Sequence, residues 1–224
     1  MKKIAAWLLV GLFVAFPATV KAQGIEAGDH MFSMMIGGAA GLQDSGLTKW
    51  NNEKTDWGSA GAVFGLSYMI FPSEVLGVGI EVNDGIFVGE DDDRYIMGDH
   101  EELETAMNVF NAMVSARLNL NPQARARFYI PFGAGLSSAT AAIRDTWNGS
   151  ETTKRASYNS LGYFVGFGLE VALGSSGRWS LGAEGRYNAF QYDTDKLAAK
   201  WGGTGVGKKD YSYVSVAFKA SCKF

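Results

Sequence analysis

"YSYVSVAFKASCKF", residues 211–224, alternates without a break, and how it is read decides the fold. Val214, Val216, Phe218, Ala220, Cys222 and Phe224 fall on one side. Tyr213, Ser215, Ala217, Lys219, Ser221 and Lys223 fall on the other. Successive side chains of an extended strand point to opposite faces, so this segment has one apolar and one polar face. In water the apolar face packs into a core. In a membrane-spanning barrel the pattern is turned inside out, with the apolar face toward lipid and the polar face toward the lumen. The segment alone fits both.

Seven further segments alternate in the same way. They are residues 30–41, 60–71, 75–83, 106–120, 128–140, 160–173 and 178–190. Most exceed the five or six residues usual for soluble strands and match the roughly nine to eleven that a tilted strand needs to cross a bilayer. The connectors alternate too. Those at 72–74, 121–127 and 174–177 are short, whereas 42–59, 84–105, 141–159 and 191–210 are long and polar. Short turns at one end and long loops at the other are the pattern of an up-and-down barrel in an outer membrane. Closure into a ring is required, because lipid offers nothing to an open sheet edge. The expected fold is an all-β, eight-stranded antiparallel transmembrane barrel.

Charge placement separates the two readings. Leu76, Val78, Ile80 and Val82 oppose Gly77, Gly79, Glu81 and Asn83. Phe110, Ala112, Val114, Ala116 and Leu118 oppose Asn111, Ser115 and Arg117. Leu161, Tyr163, Val165, Phe167, Leu169 and Val171 oppose a face with three glycines and Glu170, and Leu181, Ala183 and Tyr187 oppose Glu184, Arg186 and Asn188. A face of small residues interrupted by charge suits an eight-stranded interior, which has room only for side chains. Glu81, Glu170 and Glu184 are expected to pair there with Arg117, Arg186 and Lys219, with Asn111 beside them, because a buried charge without a partner is very costly. The alternative is a wet pore lined by the same residues.

The start of the chain indicates export. Lys2 and Lys3 precede the apolar run Ile4–Phe16, and Val20 and Ala22 occupy the small-residue positions of a cleavage site. This is the anatomy of a secretory signal peptide, residues 1–22, leaving residues 23–224 as the barrel domain. The leader holds Lys2, Lys3 and Lys21 and no acid, so the remainder carries 17 basic residues (20 − 3) against 23 acidic. An acidic chain is a poor nucleic-acid binder. The lone cysteine, Cys222, permits no internal disulfide.

The alternating segments, the long outer connectors and the terminal Phe224 resemble the small outer-membrane β-barrels of the OmpA/OmpX type. "FYIPFGAGLSSA" (128–139) and "SLGAEGRYN" (180–188) are similar to the fifth and seventh strands of that superfamily. The resemblance covers essentially all of residues 23–224. It implies residence in the outer membrane of a Gram-negative-type bacterium, among its lipid and lipopolysaccharide. It also implies that the assembly machinery reads the last strand, with Val216, Phe218 and Phe224 as the signal. No peptidoglycan-binding domain is expected after Phe224.

No catalytic or metal-binding set is legible, and no cofactor is expected. General acid–base chemistry needs groups within hydrogen-bond reach. The two histidines, His30 and His100, fall at opposite ends of the barrel pattern. The acidic run "GEDDDRY" (89–95) lacks the spacing of an EF-hand loop and reads as solvated. "NGS" (148–150) matches a glycosylation pattern, read here as chance, and Trp50, Trp57, Trp147 and Trp201 lie in the long connectors. The expected role is therefore non-enzymatic: a structural or surface-interaction role, engaging a host or surface ligand through four extracellular loops. The alternatives are a narrow porin-like channel for small solutes and, behind it, a lipid A-modifying enzyme.

Overall fold

The computed structural model describes residues 24–42, 60–88, 92–96, 99–147, 150–193, 195 and 207–224. The expected leader at 1–22, residues 148–149, Trp50, Trp57 and Trp201, and the side chains of 89–95, His100 and Trp147 lie outside that description. The strands are β1 (His30–Gly41), β2 (Ala60–Ile70), β3 (Leu76–Val88), β4 (Asp92–Ile96), β5 (Asp99–Asn119), β6 (Ala126–Trp147), β7 (Ser150–Leu173), β8 (Trp179–Asp193) and β9 (Lys208–Lys223). All pairings are antiparallel. β3 also bonds to β5, and β9 to β1, so eight strands close into a ring, while β4 pairs with the outer end of β5.

The stagger of the ring can be read from the register. From Met31 the register partners run to Met69, Gly79, Ser115, Gly133, Phe164, Asn188 and Tyr213, and return to β1 at Gly41. The path rises ten residues (41 − 31) in one circuit. Strands with this stagger are strongly tilted, and an eight-strand ring encloses little more than its own side chains.

Burial confirms the inversion. Phe218 is 77 % exposed while its neighbour Lys219 is 5 % exposed, and Leu161 is 77 % exposed while Glu170 on the other face of β7 is 1 % exposed. Leu, Val, Ile and Phe cover the outside of every barrel strand, and Glu81, Asn111, Arg117, Glu170, Glu184, Arg186 and Lys219 are all buried inside. Large inner rings fit because glycine lies beneath them: a Cβ on Gly77 would stand 2.7 Å from the Phe71 ring, and one on Gly133 2.6 Å from the Phe164 ring.

Two of the connectors expected as loops are largely strand. β3 continues to Val88, β5 begins at Asp99, β6 runs to Trp147 and β7 starts at Ser150. Beyond Val88 and Ile143 these stretches are mostly polar on both faces and carry no lipid signature, yet threonine and tryptophan favour strands. The register pairs Trp147 with Ser150, with Asn148 and Gly149 between them. Asn-Gly between strands is the strongest short hairpin signal, which the reading of "NGS" as a chance glycosylation match leaves unused.

Candidate functional site

Three filled layers occupy the lumen. At the turn end, Ile25, Met31, Met69 and Phe71 form an apolar cluster. The chain before β1 is drawn in beneath it. Ile25 N–H donates to Pro122 O at 3.1 Å, and Lys223 Nζ donates to Gly24 O at 2.6 Å and lies 2.9 Å from Asp29.

The middle layer is ionic. Glu170 from β7 receives Arg117 of β5 bidentately, Nη1 to Oε2 at 2.9 Å and Nη2 to Oε1 at 2.6 Å. Arg127 at the start of β6 lies 3.0 Å from the same carboxylate. Arg186 of β8 bridges two acids: it spans the barrel to both oxygens of Glu81 on β3, and its Nε meets Glu184. Lys219 Nζ lies 3.2 Å from Glu184 Oε2. Tyr129 connects the two centres. Its hydroxyl donates to Glu184 Oε2 at 2.7 Å, and the Arg117 guanidinium sits 3.8 Å from its ring centre. Amides extend the network outward: Asn83 donates to Glu81, Asn111 to Asn83, and Ser137 to Asn111. The expected partners are thus brought together: Arg117 with Glu170, Arg186 with Glu81 and Glu184, and Lys219 with Glu184.

Sequence reasoning missed Arg127 and Tyr129. The sequence places Arg127 in the 121–127 connector, whereas it is buried in β6. Both share the inward parity of Gly133, Gly135 and Ser137, which was the available signal. Tyr129→Phe removes a donor to a buried carboxylate. A hydrogen bond to a charged group contributes about 1.5–3 kcal/mol, so urea unfolding from vesicles should show a loss of that size with the fold retained.

The outer layer is aromatic and aliphatic. Phe87, Met107, Val109, Phe190, Tyr192, Tyr211 and Tyr213 form one buried cluster, with Phe87 and Tyr213 ring centres 5.0 Å apart. Between this layer and the ionic one, a cavity of about 10 Å³ borders Arg186, Asn188 and Tyr213. It holds one water at most.

Beyond the apolar band, β4, β5, β6 and β7 continue as a four-stranded sheet, with β6 and β7 paired out to Trp147↔Ser150 and β5 and β6 out to Glu101↔Trp147. β8 joins β7 only from Gly162↔Phe190 inward, so over Ser150–Ser157 no strand among the described residues pairs with β7 on its β8 side. On this hairpin Arg144 and Glu151 are both exposed, with Nε and Oε1 2.8 Å apart, and the hydrogen bond from Arg144 holds the Glu151 carboxyl below its ordinary value. An exposed pair of this kind adds little stability.

The remaining sequence candidates fall elsewhere. Val216, Phe218 and Phe224 are exposed on the lipid side of β9. Cys222 is free and partly covered. His30 hydrogen-bonds through Nδ1 to the Tyr68 hydroxyl at 2.6 Å and stacks on Phe224. Among the described residues no group of acids, histidines and cysteine is arranged to hold a metal ion.

A family model described as "Outer membrane protein beta-barrel domain" matches residues 8–224. No curated protein matches the chain. Among solved structures, OprG from Pseudomonas aeruginosa is 14 % identical with a TM-score of 0.53, covering 91 % of this chain and 99 % of that one. The Ail attachment invasion locus protein of Yersinia pestis, in complex with the heparin analogue sucrose octasulfate, is 13 % identical with a TM-score of 0.48 over 88 % and 99 %. The outer membrane protease OmpT from Escherichia coli is 9 % identical with a TM-score of 0.48 over 93 % and 99 %. At these identities the likeness is one of fold alone.

Proposed function

The chain belongs to the outer membrane protein beta-barrel domain family, and on that premise we propose that it is a non-conducting, non-catalytic barrel of the outer membrane that serves surface interaction. The observation that carries this reading is the filled lumen: an apolar layer, a paired ionic layer and an aromatic layer follow one another along the axis. Such a lumen favours a platform over the narrow-channel alternative. Purified protein in planar bilayers should stay silent, and a steady open level would overturn the reading.

The interacting part is the outer sheet of β4–β7. A strand edge presents unpaired backbone donors and acceptors, a template for an extended polypeptide from a partner. Among the described residues the β7 edge over Ser150–Ser157 has no strand on its β8 side and offers such a template. Replacing Arg144–Thr153 with Asn-Gly joins Ile143 to Lys154 in the existing register through a two-residue turn. Cells displaying this variant should lose adhesion to surfaces coated with extracellular protein, while the barrel still migrates as folded on unheated gels. Unchanged adhesion would remove the sheet from the proposal.

Val216, Phe218 and Phe224 fit the assembly role. They lie outermost on the strand that completes the ring, where machinery in the membrane can reach them.

A further inference from the structure

Asp84 stands on the lipid-facing side of β3, inside the apolar band. Val82 precedes it and Ile86 and Val88 follow it on the same face, and its register partners are Phe64 on β2 and Phe110 on β5. All five of these side chains are exposed. Among the described residues the carboxylate has one partner: Asn108 Nδ2 donates to Oδ1 at 2.7 Å. Asn108 lies one lipid-facing position farther out on β5 and opens a polar rim that continues through Ser138, Thr140 and Asn159. Asp84 is therefore the charged group just beneath that rim. Among the described residues, the lipid-facing positions between the turns and the rim hold no lysine or arginine, and no other acid.

A carboxylate at this depth is destabilising against plain hydrocarbon, and one hydrogen bond leaves its second oxygen open. We propose that Asp84 and Asn108 form a contact site on the outer wall between β3 and β5 for an outer-leaflet lipid that carries hydroxyl or amide N–H donors just below its headgroup, the chemistry of an acylated-sugar lipid. Such a lipid brings neutral donors to the depth where the free carboxylate oxygen waits. Asn108 offers its own amide oxygen beside it. A second copy of the chain brings no cation at this depth, and a two-fold contact would set carboxylate against carboxylate. The inference rests on the outer-membrane reading and adds to it a preferred lipid class and its position on the wall.

The test compares wild type with Asp84→Leu and Asp84→Asn, each folded into two kinds of vesicle: phosphatidylcholine alone, and phosphatidylcholine with lipopolysaccharide. Unfolding is followed in urea, and insertion is scored separately by gel migration. In phosphatidylcholine Asp84→Leu should be the more stable, because it withdraws a carboxylate from hydrocarbon. With lipopolysaccharide that advantage should shrink or reverse, by about tenfold in the unfolding equilibrium constant, the worth of one hydrogen bond to a charged group. Asp84→Asn, which keeps an acceptor, should fall between. The same difference in both vesicles overturns the proposal. Loss of the lipopolysaccharide effect with a chelator also overturns it, since a divalent ion bridging to phosphate would then be the ligand. Failure of wild type to insert at all would instead strike the barrel reading.

Discussion

Arg186→Ala will cost the barrel about 3–5 kcal/mol of folding stability, the penalty for stripping one partner from a buried ionic cluster. Arg186 lies between Glu81 and Glu184, and all three are buried. Without it, Glu81 keeps only the amide of Asn83. Glu184 keeps Lys219 and the Tyr129 hydroxyl, so the damage centres on Glu81. The double variant Arg186→Met with Glu81→Leu removes both charges of that arm and should recover much of the loss, because apolar replacements of buried pairs are often neutral. Urea titration of the vesicle-inserted protein measures both. Equal losses in the single and double variants would show that packing volume, not charge pairing, governs the site.

Phe218→Arg will cost about 2–4 kcal/mol, the value for a cation on the lipid face near mid-membrane. Phe218 is among the most exposed side chains of the barrel, with Val216 and Ala220 beside it on the same face of β9. On a protein in water a substitution at such a position would change stability by no more than about 0.5 kcal/mol. The two environments therefore predict different outcomes for one experiment. Urea unfolding from phosphatidylcholine vesicles reads the number directly, and a change below about 0.5 kcal/mol would return the apolar face to water. Phe218→Ala, which trims area without adding charge, should be milder.

Much of the barrel was legible in the chain because lipid and lumen impose opposite demands on alternate residues. Val214, Val216 and Phe218 against Ser215, Ala217 and Lys219 carry that contrast without help from tertiary context. The central ion pairs were legible for a related reason: charges on an inward face have nowhere else to find partners. Three things were not. Arg127 follows a proline-containing turn, and local composition outweighed its parity. The outer aromatic layer was hidden because a ring inside a narrow barrel needs room lent by the neighbouring strand. The space that Gly61 leaves for the Phe87 ring, where a Cβ would stand 2.9 Å from it, cannot be read from either segment alone. Asp84 ended an apolar run and looked like the start of a loop. Its place on the wall follows from the continued pairing Ile86↔Asn108 and Val88↔Ala106.

The meeting of β1 with β9 has a consequence for how the chain is made. Phe224 and His30 exchange backbone hydrogen bonds at 3.0 Å, and Lys223 reaches Gly24, 199 residues away in sequence. Every hairpin can form from neighbours, but the circle is completed only when β9, made after the other strands of the ring, reaches β1. Contacts this distant along a chain are slow to form. Until they do, β1 and β9 present bare edges, which lipid cannot satisfy and which other chains can join. A nascent polypeptide of this design has no stable half, and its safe passage to the membrane requires that it be kept unfolded and escorted until β9 has been made.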